Sequence, residues 1–161
     1  MSGIQMLGRD FDLILGIAPL DLQTARSGDY INMKNNKRVG IVLIKGQGTD
    51  GDDLTLTLRQ ATTAAGGSVK DLAVISDYVE KEENAANLEA TGSWTRVTQT
   101  AAATIAPGDP SAQSAAMYYF EIGADELDVD NGFDFLVVNI ADTGNNAQLG
   151  CVLYIPGGLR Y

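Results

Sequence analysis

Histidine is absent from all 161 residues of the chain. That absence removes Ser-His-Asp and Cys-His catalysis, histidine-ligated metal centres, and imidazole acid–base chemistry near neutral pH. Cysteine occurs once, as Cys151 in the apolar run LGCVLYI. One thiol cannot close an internal disulfide, so a reducing compartment of synthesis is expected. With no imidazole to activate it, Cys151 reads as a small buried hydrophobe rather than a nucleophile. Positive charge is scarce too: 11 Lys and Arg stand against 21 Asp and Glu, a formal net charge of −10. Such a field repels a phosphate backbone, so no nucleic-acid partner is expected. Lys34, Lys37, Arg38 and Lys45 do lie in one segment. They read as a solvated hairpin end or as a local patch for an acidic partner. No run of about 18 apolar residues is present, so no membrane partner is expected. The apolar patch from Leu13 to Leu20 lacks a basic flank and a small-x-small cleavage site, and reads as mature sequence.

What is present is β texture. Short runs rich in Val, Ile, Leu, Thr and Tyr are punctuated by Gly, Asn and Asp. The segments 11–17, 29–34, 38–45, 53–61, 117–123, 132–142 and 148–155 read as strands. In DYINMK, Tyr30 and Asn32 share one face, and Ile31 and Met33 the other. RVGIVLIK (38–45) is nearly continuously apolar and is expected in the centre of a sheet. DLTLTLRQA (53–61) alternates cleanly, with Leu54, Leu56 and Leu58 on one face and Thr55, Thr57 and Arg59 on the other. The region 70–100 carries helix-compatible composition, but Val74, Ile75, Tyr78 and Val79 favour strand–loop–strand, with the loop at 84–91. NNK (35–37) and TGNNA read as turns, ADELD (124–128) as a helical turn or tight corner, and 102–116 as a long surface loop. The expected fold is one all-β domain over residues 1–161. It is an antiparallel β-sandwich or jelly-roll-like domain with about eight to nine strands and little helix. Residues 1–10 form an N-terminal arm and 156–161 a C-terminal tail.

The stretch GQGTDG (46–51) has the Gly-x-Gly-x-x-Gly spacing of a dinucleotide-binding turn. That fingerprint needs a helix after its glycines, to hold the pyrophosphate at the helix N-terminus. Here a period-two strand follows, and leucines at i, i+2 and i+4 do not share a helix face. The stretch reads as a hairpin connection, with glycines at positive φ and aspartates bonding local amides. No cofactor is expected.

DELDVDNG (125–132) invites a calcium reading, but neither frame tested places Gly and Glu where an EF-hand loop requires them. Asp125, Asp128 and Asp130, or Asp50, Asp52 and Asp53, remain candidate calcium ligands by donor type. The plainer reading is that Asp and Asn make the corner before strand 132–142. Paired carboxylates also raise glycoside hydrolysis, but the only tryptophan is Trp94, and no two acids can be paired across a cleft. Trp94 reads as a core or interface anchor. Tyr118 and Tyr119 lie on opposite faces of one strand. Enzymatic activity is not expected. Charged residues are only 20% of the chain, and a low-charge surface rich in small residues suits extensive subunit contacts.

The order FDLILGIAPLDLQTARSGDYINMKNNKRVGIVLIKGQGTDGDDLTLTLRQA, with ADELDVDNGFDFLVVNIADTGNNAQLGCVLYIPGGLRY, resembles small virion proteins of tailed bacteriophages and prophages. The resemblance implies a structural part of the particle, foremost a capsid decoration (cement) protein. Its implied partners are the major capsid protein and further copies of itself, as trimer or dimer. Its implied place is the outer head surface of the virion, after synthesis in the bacterial host cytoplasm. A head–tail joining or tail-tube protein, or a calcium- or carbohydrate-binding β-sandwich module, is the alternative. Within the decoration reading, Ile4, Met6, Leu7 and Phe11 of the arm, then Leu159, Arg160 and Tyr161 of the tail, are the candidate shell contacts.

Overall fold

The computed structural model describes residues 12–83, 92–107 and 115–159. The chain forms two antiparallel sheets of six strands each, packed as a β-sandwich. The first sheet runs in the order β1 (Ile14–Asp21), β12 (Leu149–Leu159), β4 (Asn36–Lys45), β10 (Ala115–Gly123), β7 (Ile75–Glu83), β8 (Thr95–Ala102). The second runs β2 (Arg26–Ser27), β11 (Phe135–Ile140), β5 (Leu56–Ala61), β6 (Val69–Asp71). In addition, β3 (Ile31–Asn32) pairs with β11 and β9 (Thr104–Ile105) with β5. The described residues hold twelve strands where eight to nine were expected, because two-residue ladders such as β2, β3 and β9 carry too little sequence to show a period.

Alternation places the core. In β5, Leu56 and Leu58 are fully buried, and Leu54 is buried just before the strand. Ile31 and Met33 are buried, as the alternation of DYINMK requires. From the first sheet, Val39, Ile41 and Leu43 of β4, Tyr118, Phe120 and Ile122 of β10, and Val152 and Tyr154 of β12 face the same interior. β4 lies between β12 and β10, in the sheet centre as expected. Two short 3-10 turns, Ala124–Glu126 and Val129–Asn131, form the corner from β10 to β11.

Several local expectations need correction. GQGTDG is not a hairpin: β4 and β5 belong to different sheets, so residues 46–55 cross the end of the sandwich. Gly51 does take a positive φ, 83°. Asp52, however, bonds across the sequence: its carboxylate accepts from the Asn146 backbone N–H at 3.0 Å and from Asn146 Nδ2 at 2.8 Å. TGNNA likewise joins the two sheets, so two inter-sheet connections are clasped together. The turn expected at 35–37 sits at Lys34–Asn35. The expected tail 156–161 is strand through Leu159, paired antiparallel to Val39–Asn36. The expected loop 102–116 contains β9 and the start of β10.

Candidate functional site

The residues that point away from the core on the first sheet form an apolar surface. Antiparallel register puts side chains of neighbouring strands side by side on one face. Leu15 pairs with Leu153, Leu153 with Val42, Val42 with Tyr119, and Tyr119 with Val79. One row therefore crosses five strands without a charge. The adjoining row is Cys151, Ile44 and Met117, ending at Lys81. Leu149 and Ile155 extend the face along β12. Most of these side chains are half-buried by one another, while Leu15 is 50% and Leu149 65% exposed.

Charge sits at the margin. Arg38 Nη1 lies 3.4 Å from Glu121 Oε2, and Arg96 Nε 3.0 Å from Asp77 Oδ2. The Tyr119 hydroxyl bonds Glu121. Its ring lies across Gly40, where an added Cβ would come 2.9 Å from Tyr119 Cε2. Gly40 thus gives the ring room to lie flat on the sheet. Burial, reinforced by the hydrogen bond to the Glu121 carboxylate, pushes the Tyr119 phenol up to about 12. Burial also raises the Cys151 thiol, which is free and half-buried where a buried hydrophobe was expected.

The outer face of the second sheet is different. It presents Thr57 and Arg59 of β5, Asn139 of β11, and Arg26 and Ser27 of β2 around a shallow polar groove. Arg59 Nε pairs with Asp71 at 2.9 Å, and Ser27 Oγ with Asn139 Oδ1 at 3.2 Å. Polar residues thus gather toward the β2 end of this face, while Phe135, Ala61 and Val69 form an apolar row toward its other end.

The other candidate residues are dispersed. Among the described residues, no three acidic or sulfur side chains converge as a cation site. The Asp128 carboxylate is engaged by Lys70 Nζ and, at 2.8 Å, by Asn131 Nδ2, which hold it below the usual carboxylate range. Asp125 and Asp130 are exposed on separate 3-10 turns. Asp50 and Asp53 are exposed, and Asp52 is buried in its clasp with Asn146. The cation segment is split as well. Lys34 Nζ pairs with Asp134 at 3.0 Å and Arg38 with Glu121. Lys45 is buried, and desolvation lowers its ammonium, opposed by Glu82 and Asp53. Trp94 is 49% exposed, so it is no core anchor. Tyr118 is buried and Tyr119 half-buried, on opposite faces as expected. Ile4, Met6, Leu7, Phe11, Arg160 and Tyr161 lie outside the described residues. The Leu159 backbone pairs with Asn36.

Comparison with known proteins yields no matching family model and no matching curated sequence. Among solved structures, the SPBc2 prophage-derived protein YomS is similar at a TM-score of 0.43 and 5% identity, over 90% of this chain and 93% of that one. A structure of infectious bursal disease virus, Gx strain, is similar at a TM-score of 0.28 and 10% identity. The VP2 subviral particle of that virus gives 0.25 and 9%. This chain spans 41% of each of those two viral chains. None of these likenesses assigns a function to this chain.

Proposed function

We propose that this chain is a non-enzymatic structural protein of a bacteriophage particle, of the capsid-decoration type, with the major capsid protein as its partner. The observation that carries the reading is the apolar outer face of the first sheet, crossing five strands inside a charged margin. A solvated antiparallel sheet alternates apolar-in and polar-out. An apolar centre with a polar rim is instead the anatomy of a protein–protein interface. The resemblance of residues 11–61 and 124–161 to phage virion proteins supplies the context. In that context the physical role is linkage. A protein that binds only the expanded shell favours that state by its binding free energy, multiplied over many copies.

The test is sedimentation of a lysate of phage-producing cells through a density gradient, with an antibody to the purified chain. The expected result is many copies travelling with DNA-filled particles, on the head surface by electron microscopy. Particles that sediment without the chain would overturn the reading.

A further inference from the structure

We infer that the apolar outer face of the β1–β12–β4–β10–β7–β8 sheet packs against the same face of a second copy of this chain, forming a two-fold, back-to-back dimer. The inference deepens the structural reading above: it rests on that reading's treatment of this face as an interface, assigns the face itself to a second copy, and leaves shell contact to the rest of the surface.

Three observations select this occupant. The first is extent. From β1 to β7 the apolar row crosses four strand spacings of about 4.8 Å, and Leu149 to Ile155 spans six residues of about 3.3 Å, about 400 Å² in projection. The margin on β8, Arg38 and Glu121 brings this to about 600 Å² per copy, so two copies cover about 1,200 Å², the lower bound of a specific interface. An apolar patch of about 400 Å² is of the size that is often functional on a single domain.

The second is charge. The chain carries −10, so two copies repel across most approaches. Among the described residues, by register, this face carries three cations, Arg38, Lys81 and Arg96, and four acidic positions, Asp21 opposite Leu149, Asp77, Glu83 opposite Ala115, and Glu121, a far smaller acidic excess than that of the whole chain. Because both signs are present and already paired on each copy, a self-complementary contact is open to it, as a two-fold interface requires.

The third is shape. Tyr119 lies flat over Gly40, and the strands beside it carry the medium-sized Val42, Ile44, Met117, Cys151 and Leu153. Such a surface stacks on another sheet at about 10 Å, the ordinary spacing of packed sheets.

The experiment is sedimentation velocity of the purified chain from about 1 to about 100 μM, a range that brackets micromolar dissociation constants. It is run on the native chain, Leu153→Asp and Leu149→Asp, with circular dichroism to check folding. Leu149 is 65% exposed, so its substitution leaves the core untouched. The expected result is a species of twice the 17.0 kDa chain mass, its dissociation constant raised at least about tenfold by either variant. Alkylation of Cys151, in the middle of the face, should slow as the native chain is concentrated and stay fast in the variants. A monomer at every concentration, a trimer, or a dimer indifferent to both folded variants would overturn the inference. A monomer that still travels with phage particles would sink the dimer and leave the virion reading standing. A face-dependent dimer absent from particles would do the reverse.

Discussion

The hydroxyl of Tyr154 accepts a hydrogen bond from the backbone N–H of Val138 at 3.1 Å, joining β12 of one sheet to β11 of the other. Between β2 and β3 the chain leaves the edge of β11, and the phenol meets the N–H exposed there. The Val138 carbonyl is taken by the Gly28 N–H at 2.9 Å, and the Asp29 N–H bonds the Gly16 carbonyl at 2.8 Å. Residues 28–29 therefore tie both sheets around the Tyr154 ring. Tyr154→Phe should keep the packing and leave a buried N–H unpaired, which costs about 1–3 kcal/mol. Urea unfolding followed by circular dichroism reads the loss. An unchanged midpoint would show that the bond contributes nothing net.

Glycine is required beside that ring. A Cβ at Gly16 would come 2.6 Å from Tyr154 Cζ, and one at Gly28 2.9 Å from the Val138 carbonyl oxygen. Overpacking of this kind costs about 1–3 kcal/mol. Gly16→Ala should therefore destabilise the native chain, but much less in a Tyr154→Leu background, where the ring is gone. Additive effects in this double-mutant cycle would place the strain elsewhere. A Cβ at Gly28 meets the Val138 and Gly16 carbonyl oxygens at 2.9 and 3.0 Å before the Tyr154 hydroxyl at 3.1 Å, so most of the cost of Gly28→Ala should persist in both backgrounds.

The clasp between the inter-sheet connections depends on pH. The Asn146 side chain first, then the 145–146 backbone, holds the Asp52 carboxyl below its usual range, against an opposing burial effect. A carboxyl whose folded pKa is depressed contributes stability above its unfolded pKa, about 3.9, and loses it as pH falls through the folded value. Asp52→Asn should be less stable than the native chain at pH 7, and the difference should shrink below about pH 4. Denaturant midpoints at several pH values measure it, and a difference constant with pH would refute the charge-based account. Gly144 belongs to the same clasp, since a Cβ there would overlap Asp52 Oδ1 at 2.0 Å.

Much of the sandwich was legible because period-two alternation reports one buried face. Leu54, Leu56 and Leu58 against Thr55, Thr57 and Arg59 placed β5 correctly, and Ile31 with Met33 placed the start of the second sheet. Strands apolar on both faces give continuous runs instead. VGIVLI in β4 and GCVLYI in β12 show such runs, and their unbroken hydrophobicity marked both a central strand and a second apolar surface. For β4 the central position was recognised; for β12 only the strand was. What no local pattern could supply was which strands share a sheet. β4 and β5 flank a glycine-rich connection that looks like a hairpin, yet Asp52 reaches Asn146, 94 positions away. The calcium candidates failed to gather for the same reason: Asp128 is satisfied by Lys70, a partner distant in sequence.

The tyrosines offer an alkaline counterpart to the acid test. Burial is the first cause raising the phenols of Tyr78, Tyr119 and Tyr154, and Tyr119 reaches about 12. An acid whose folded pKa is raised stabilises the fold fully below its unfolded pKa, about 10, and that contribution is lost as pH rises toward the folded value. In that window the unfolded chain binds fewer protons than the folded one, so stability falls with rising pH. Tyr78, Tyr119 and Tyr154 should therefore ionise late in a spectrophotometric titration, and their release should coincide with unfolding. Tyr119→Phe should remove one late-titrating group and soften the alkaline loss of stability, since the neutral ring still lies over Gly40. If these three phenols titrated near pH 10 with the fold intact, Tyr154 could not be sealed between the sheets. The cross-sheet bond to Val138 would then be wrong.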